Sequence, residues 1–305
     1  MLAAWAGPVL LPADAASTDA AHDLLAGRRL ALLVGPEGFS DPNLAPLRYT
    51  GADARALRDV LEDPARGHFD RVWTLTGDDA STGPAVRAAM AELAAAVRSP
   101  DDTVFVYFST HGSLERDSRG RIEQYLVLPD TRLDSLAATG LSHTEVLTWL
   151  DALASRRKVL VLATCHSGQG KSRLPDAMAR EIAGTKGTPP LPTLRDVSEA
   201  VVIIGVCAWN ETAQEAEGLG HDIYTWFFLE ALAQSDLDGD GAVTVTEAHE
   251  HARDKTYAYT QGRQRPYARA EVLGADPIVM TGRRTHQAAA TPQPDGAVGH
   301  TRDGQ

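Results

Sequence analysis

The chain has 305 residues, 43% of them apolar, and a formal net charge of −12. That length accommodates one large α/β domain or two small ones, with enough apolar content for a full core. The acidic balance argues against a general nucleic-acid binder, which carries a basic face, and no apolar run approaches the length needed to cross a membrane.

Residues 1–27 are Ala-rich, lack Lys and Arg, and are interrupted by Pro8 and Pro12. They read as a loosely structured arm rather than a secretory signal. Arg29 to Val34 is the first expected core strand, closed by Gly35-Pro36. After a loop through Gly38, Pro42 and Pro46, the residues Ala54, Leu57, Val60 and Leu61 recur at helical spacing. A short strand at Arg71 to Leu75 and an Ala-rich helix over 82–99 follow. Thr103 to Phe108 is a continuous apolar run that leads to Ser109-Thr110-His111-Gly112. Beyond it come an Arg/Asp-rich excursion (115–123) and a short strand pair around Tyr125 to Leu128. Ser142-His143-Thr144-Glu145 has the form of a capping box and predicts a helix over 146–154.

Val159 to Ala163 is a second continuous apolar run, as a parallel strand buried on both faces requires, and it ends at Thr164-Cys165-His166-Ser167-Gly168. Residues 169–198 form a long connection carrying Lys171, Arg173, Arg180, Lys186 and Arg195. A third apolar strand spans Ala200 to Val206, a helix spans Tyr224 to Ala233, and another runs to about Tyr259. Glu271 to Leu273 is offered as a last strand, and 283–305 reads as disordered. Strands alternating with helices predict a mainly parallel sheet with right-handed crossovers. The domain is therefore expected over 28–282.

Chemistry in such sheets gathers at the carboxyl ends of the strands. His111 and Cys165 stand there, on two core strands expected to be neighbours. A thiolate, not a thiol, is the nucleophile, and an adjacent imidazole takes its proton. Gly112 lets a main chain approach closely, so its amide and that of Cys165 are natural donors to an oxyanion. Taken singly, a Cys at a strand end is usually a small buried hydrophobe; the joint placement carries the argument. His166 competes for the base, although adjacent strand residues point to opposite faces. Cys165 and Cys207 are not expected to pair, since both end core strands and no Cys-rich secreted pattern is present. A reducing, cytoplasmic setting is expected.

At these residues the chain resembles the caspase and metacaspase superfamily of cysteine peptidases, whose His precedes the Cys by about 50 residues. Phe108-Ser109-Thr110-His111-Gly112 is similar to that family's Tyr-Ser-Gly-His-Gly, and Ala163-Thr164-Cys165-His166-Ser167-Gly168 to its Asp-x-Cys-His-Ser-Gly. Leu47-Arg48-Tyr49-Thr50-Gly51-Ala52-Asp53-Ala54, Phe227 to Leu232 and Gly262-Arg263-Gln264-Arg265-Pro266 extend the likeness. The resemblance implies a caspase-like three-layer α/β sandwich with a mainly parallel six-stranded sheet and helices on both faces. It further implies an endopeptidase acting on protein substrates, with His111 as base, Cys165 as nucleophile and no cofactor required for the chemistry. By motif position Asp53 and Ser109 match the pocket that selects Arg or Lys before the cut. The pocket's further acid is Ala163 here, and Glu211 and Glu215 are candidates to restore the charge. Asp53 also suits the start of a helix, where the macrodipole favours a carboxylate, and Glu211 and Glu215 also read as ordinary loop charge. Family members are often zymogens cut after the Cys strand, which makes 169–198 a candidate cleavage site for the enzyme itself or an activating protease. The other reading of that segment is a charged, solvated loop.

Residues 236–247 match an EF-hand loop, with Asp236, Asp238 and Asp240 at positions one, three and five, Gly241 at six and Glu247 at twelve. The Ala242 carbonyl and Thr244 would complete a Ca²⁺ site. The competing reading is a turn between helices closed by a Thr244–Glu247 capping box. Two rival functions stay open: a noncatalytic interaction module that senses Ca²⁺ through 236–247, and a Cys-dependent hydrolase or transferase acting on small molecules.

Overall fold

The computed structural model describes residues 27–164, 201–208, 211–270 and 277–282. Cys165, the connection 169–198, the expected strand 271–273 and most of both terminal segments lie outside the described residues.

The strands in chain order are β1 (Arg29–Gly35), β2 (Arg71–Thr76), β3 (Thr103–Ser109), β4 (His111–Arg116), β5 (Ile122–Val127), β6 (Leu141–Ser142), β7 (Arg157–Ala163), β8 (Val201–Gly205), β9 (Glu215–Ala216), β10 (His221–Asp222), β11 (Ala242–Thr244), β12 (Tyr267–Ala270) and β13 (Val279–Gly282). The helices are α1 (Thr50–Glu62), α2 (Gly83–Ala96), the single turn α3 (Leu136–Thr139), α4 (His143–Asp151), α5 (Ile223–Gln234) and α6 (Val245–Tyr259). The central sheet has six strands in the order β12-β8-β7-β3-β1-β2. Its inner pairings are parallel, and only β12 runs antiparallel, against β8.

The apolar runs are continuous because both sheet faces are covered. Alternate residues of a strand face opposite ways, so Ala31, Leu33, Phe105, Tyr107, Val159 and Val161 pack in one layer with α1, α5 and α6. Leu30, Leu32, Val34, Val104, Val106, Phe108 and Leu160 pack in the other with α2 and α4. The result is the expected three-layer sandwich. Buried Arg29 joins the start of β1 to the chain after α1 and to β13: its guanidinium donates to the carbonyls of Gly67, Val279 and Met280.

Two local expectations change, and one strand was not foreseen. The apolar run of β3 stops at Ser109, and His111 opens a separate hairpin, β4 with β5, in which His111 pairs with Val127. The segment 115–123 is thus largely the tip of that hairpin rather than an irregular excursion. Ser142 does cap α4, accepting from the Glu145 amide at 3.0 Å. The Glu145 carboxylate, however, goes to Arg87 at 2.6 and 2.9 Å, so only half of the box forms. The sheet's antiparallel edge is made by Tyr267–Ala270, whose short Tyr-Ala-Arg-Ala run carries little strand signal; partnership with β8 supplies what propensity does not.

Candidate active site

Strand register places the ends of the two strands that lead into the motif residues side by side. β3 and β7 are hydrogen-bonded neighbours with Ser109 opposite Ala163, so the motif residues His111 and Cys165 each follow, by two positions, a pair of residues at the same level. Thr164, the last described residue before Cys165, is buried. Its carbonyl accepts from the Cys207 thiol at 3.4 Å.

His111 is 1% exposed. Its ring lies 4.8 Å from that of Phe39, and its Nε2 is 2.7 Å from the carbonyl oxygen of Ala45. A carbonyl only accepts, so Nε2 carries a proton and Nδ1 is the basic nitrogen of the neutral ring. The loop that presents this carbonyl is pinned in turn. Ser40 donates through both its amide and its hydroxyl to the Pro129 carbonyl. The buried Asp41 carboxylate accepts from the amides of Leu133 and Asn43, each at 2.9 Å. Burial works against ionisation of Asp41, but these hydrogen bonds, with Arg132 nearby, outweigh it and hold its pKa below the ordinary value.

Asp53 lies in the first turn of α1, whose start is pressed against the end of β1. A Cβ at Gly35 would sit 2.2 Å from the Thr50 carbonyl oxygen, so glycine is needed there. The Thr50 hydroxyl donates to Pro36 at 2.6 Å. Asp53 is fully buried. Its Oδ1 is 2.7 Å from His221 Nδ1, and the Asp222 amide reaches its two oxygens at 3.3 and 3.4 Å. Asp222, also fully buried, caps α5 by accepting from the amides of Tyr224 and Thr225.

Ser109 belongs to the same cluster. The Tyr107 hydroxyl hydrogen-bonds Ser109 and lies 2.8 Å from Thr225 Oγ1. Burial, then the charges of Asp53 and Asp222, hold the Tyr107 phenol well above its ordinary range, so it stays neutral. Asp53 and Ser109 are therefore brought together around Tyr107, at the end of the strand that precedes His111.

Glu211 and Glu215 are placed differently. Glu211 pairs with Arg265 through Oε1, while its other oxygen accepts from the amides of Arg265 at 2.6 Å and Ala208 at 3.3 Å. Glu215 accepts from the amides of Arg48 and Tyr49 at 3.2 to 3.4 Å, clamping the β9–β10 hairpin onto the start of α1. Each carboxylate thus has a bracing task. The residues that the motif comparison missed are the Ala45 carbonyl, Tyr107, His221, Asp222 and Thr225. Asp222 alone left a sequence signal, as an acid directly before an apolar helix.

In the loop 236–247, ligand oxygens of Asp236, Asp238 and Asp240 lie within 4.8 Å of one another. Burial first, then the neighbouring acids, raise the Asp240 pKa, although the Ala242 amide opposes the shift. Glu247 serves both the loop and the helix start: its Oε1 accepts from the Leu237 amide at 3.0 Å. It accepts from the amide and hydroxyl of Thr244 at 2.8 Å, while its own amide donates back at 3.2 Å, forming the complete capping box. Three carboxylates therefore gather in the loop, and the fourth bridges the loop and the helix start.

A three-layer sandwich with a buried, carbonyl-anchored histidine at the carboxyl edge defines a caspase-like α/β protein. The chain matches the caspase domain of peptidase family C14 over residues 28–275 and belongs to that family of cysteine peptidases. Its fold is similar to that of a protein from Geobacter sulfurreducens (TM-score 0.60, 19% identity, covering 84% of this chain and 97% of that one). It is likewise similar to caspase-1 from Spodoptera frugiperda (TM-score 0.56, 13% identity, covering 85% and 92%). No curated protein matches it in sequence. Among the described residues no helix is long and apolar enough to cross a membrane.

Proposed function

We propose that the chain is a cysteine endopeptidase with Cys165 as nucleophile and His111 as base. The observation that carries this reading is the His111 imidazole, held by the Ala45 carbonyl through Nε2 so that Nδ1 is the proton acceptor. In the proposed reaction the Cys165 sulfur attacks the scissile carbonyl carbon as His111 takes the thiol proton. The amides of Gly112 and Cys165 donate to the oxyanion. Collapse breaks the C–N bond, the imidazolium protonates the leaving amine, and water hydrolyses the thioester to regenerate the thiol. The proposed setting is a reducing one such as the cytoplasm, which keeps such a thiol from oxidation. No cofactor enters these steps.

The finer reading is cleavage after Arg or Lys, with Asp53 and Ser109 contacting the basic side chain. It is supported by the burial of Asp53 beside Asp222 in the Tyr107 cluster. Glu211 and Glu215 contribute to this reading only at a distance, since their carboxylates brace the surrounding chain. Cleavage within 169–198, by the enzyme itself or another protease, is the proposed activation step, and its basic residues fit the same specificity.

Incubation with Arg-, Lys- and Asp-terminated fluorogenic peptides, with Cys165→Ala as control, tests the proposal. Arg or Lys hydrolysis that the variant abolishes is expected. Undiminished turnover by the variant would sink the nucleophile assignment, and hydrolysis of the Asp peptide alone would sink the basic specificity. For the loop 236–247 we propose Ca²⁺ held by Asp236, Asp238 and Asp240, with the Ala242 carbonyl and Thr244 as further donors. Glu247 would join through Oε1, which now accepts from the Leu237 amide, while Oε2 stays in the capping box. Calorimetric titration with Ca²⁺ and Mg²⁺ checks this, and no heat at millimolar Ca²⁺ refutes it.

A further inference from the structure

The Asp53 carboxylate already has a partner from the chain itself. His221, on β10, places Nδ1 at 2.7 Å from Oδ1. The His221 side chain is 17% exposed while that of Asp53 is 0% exposed, so solvent meets the imidazole and not the carboxylate beneath it. Trp226, one turn into α5, lies over the same ring at 5.6 Å between centroids and is itself 36% exposed. The pair is also fixed from behind. The Asp222 amide reaches both Asp53 oxygens, and Asp222 pairs across the hairpin with Glu215, which is clamped to residues 48 and 49. A cationic side chain that bonds Asp53 at Oδ1 therefore competes with His221 for that oxygen.

We propose that His221 is a specificity-determining residue: it competes with a substrate's guanidinium or ammonium for Asp53, so that only a strong bidentate or well-placed cation displaces it. The inference rests on Asp53 being the carboxylate that receives the basic side chain. The physical reason is that a buried carboxylate with a close hydrogen-bonded partner gains less from a second one than a carboxylate whose partner has been removed. Arg, which presents two parallel donors, should be favoured over Lys under this competition, because it offers two bonds in place of the one it breaks.

The test measures binding rather than turnover. Peptides ending in Arg, Lys or norleucine are titrated onto the Cys165→Ala chain, alone and combined with His221→Ala, His221→Asn or Asp53→Asn. Thermal unfolding checks that each variant is folded. His221→Ala should tighten the Arg and Lys peptides by about tenfold, which is about 1.4 kcal/mol, should leave norleucine unchanged, and should narrow the Arg-over-Lys ratio. His221→Asn keeps a donor near Oδ1 without a charge and should give a smaller gain; it also serves if His221→Ala does not fold. Asp53→Asn should remove the preference for basic peptides. If Asp53→Asn does so while neither His221 variant tightens binding, the competition is refuted and the pocket stands. If Asp53→Asn leaves the peptide ranking intact, or no variant binds a basic peptide, the pocket reading falls and this inference with it.

Discussion

Two acidic regions of this chain use the same side chain under opposite conditions. At the carboxyl edge of the sheet, Asp53 and Asp222 are fully buried, and each carboxylate accepts bonds from groups fixed by helix starts and a hairpin. In the loop 236–247, Asp236 and Asp238 are exposed and, among the described residues, accept from amides of their own turn, such as Gly239 to Asp236 at 2.8 Å. Burial makes a charge expensive unless it is partnered, so the first region is specified by the fold. Water solvates the second, whose shape follows from local turn chemistry. In the proposed function the buried acid selects one cationic group and the exposed acidic turn exchanges an ion.

The sharpest way to break that contrast is Asp53→Ala. It leaves His221 Nδ1–H and the Asp222 amide without their acceptor and should cost about 3 kcal/mol, read as a fall in the urea midpoint at unchanged slope. A loss below about 0.5 kcal/mol would place Asp53 among ordinary surface charges. An effect of similar size is expected from pH at His249, on the helix that the acidic loop opens. His249 is buried, with Nδ1 at 3.0 Å from the Tyr224 hydroxyl, and burial lowers its pKa from 6.5 to about 4. The unfolded chain then binds a proton that the folded chain refuses. Its stability contribution is present above pH 6.5 and is lost as pH falls toward 4, by up to about 3 kcal/mol. His249→Phe should flatten stability across that window; an unchanged slope would assign the acid sensitivity to other groups.

Smaller effects are expected in the loop. Glu247→Ala removes the reciprocal half of the α6 capping box and the acceptor of the Leu237 amide. It should cost about 1 kcal/mol in chemical denaturation without Ca²⁺. Asp238→Ala, in the same buffer, should change stability by less than about 0.5 kcal/mol. With Ca²⁺ at a hundred times its dissociation constant, the parent should gain about 2.7 kcal/mol that the variant lacks. If Asp238→Ala is as damaging as Asp53→Ala without the ion, the two regions do not differ as their burial implies.

The legibility of the fold followed burial. β1, β3, β7 and β8 were readable because strands covered on both faces must be apolar throughout, and α1 because one stripe of Ala54, Leu57 and Leu61 faces the sheet. β12 was not foreseen because Tyr267–Ala270 is a strand mainly through its partner. The position of His111 at the sheet edge was readable, as was the acidic spacing of 236–247, since each is set by residues close in sequence.

What the sequence alone determined was therefore the mainly parallel sheet with its covering helices and the acidic spacing of the turn, products of local pattern and hydrophobic period; the three-layer sandwich came from the resemblance. Tertiary structure decided which atoms the site residues meet. The acceptor for His111 is a main-chain carbonyl at Ala45, a group every residue possesses and none announces. His221 reaches Asp53, and Arg265 reaches Glu211, across long separations in the chain. Hydrogen bonds act over about 3 Å, and only the packed layers bring such distant groups within that range.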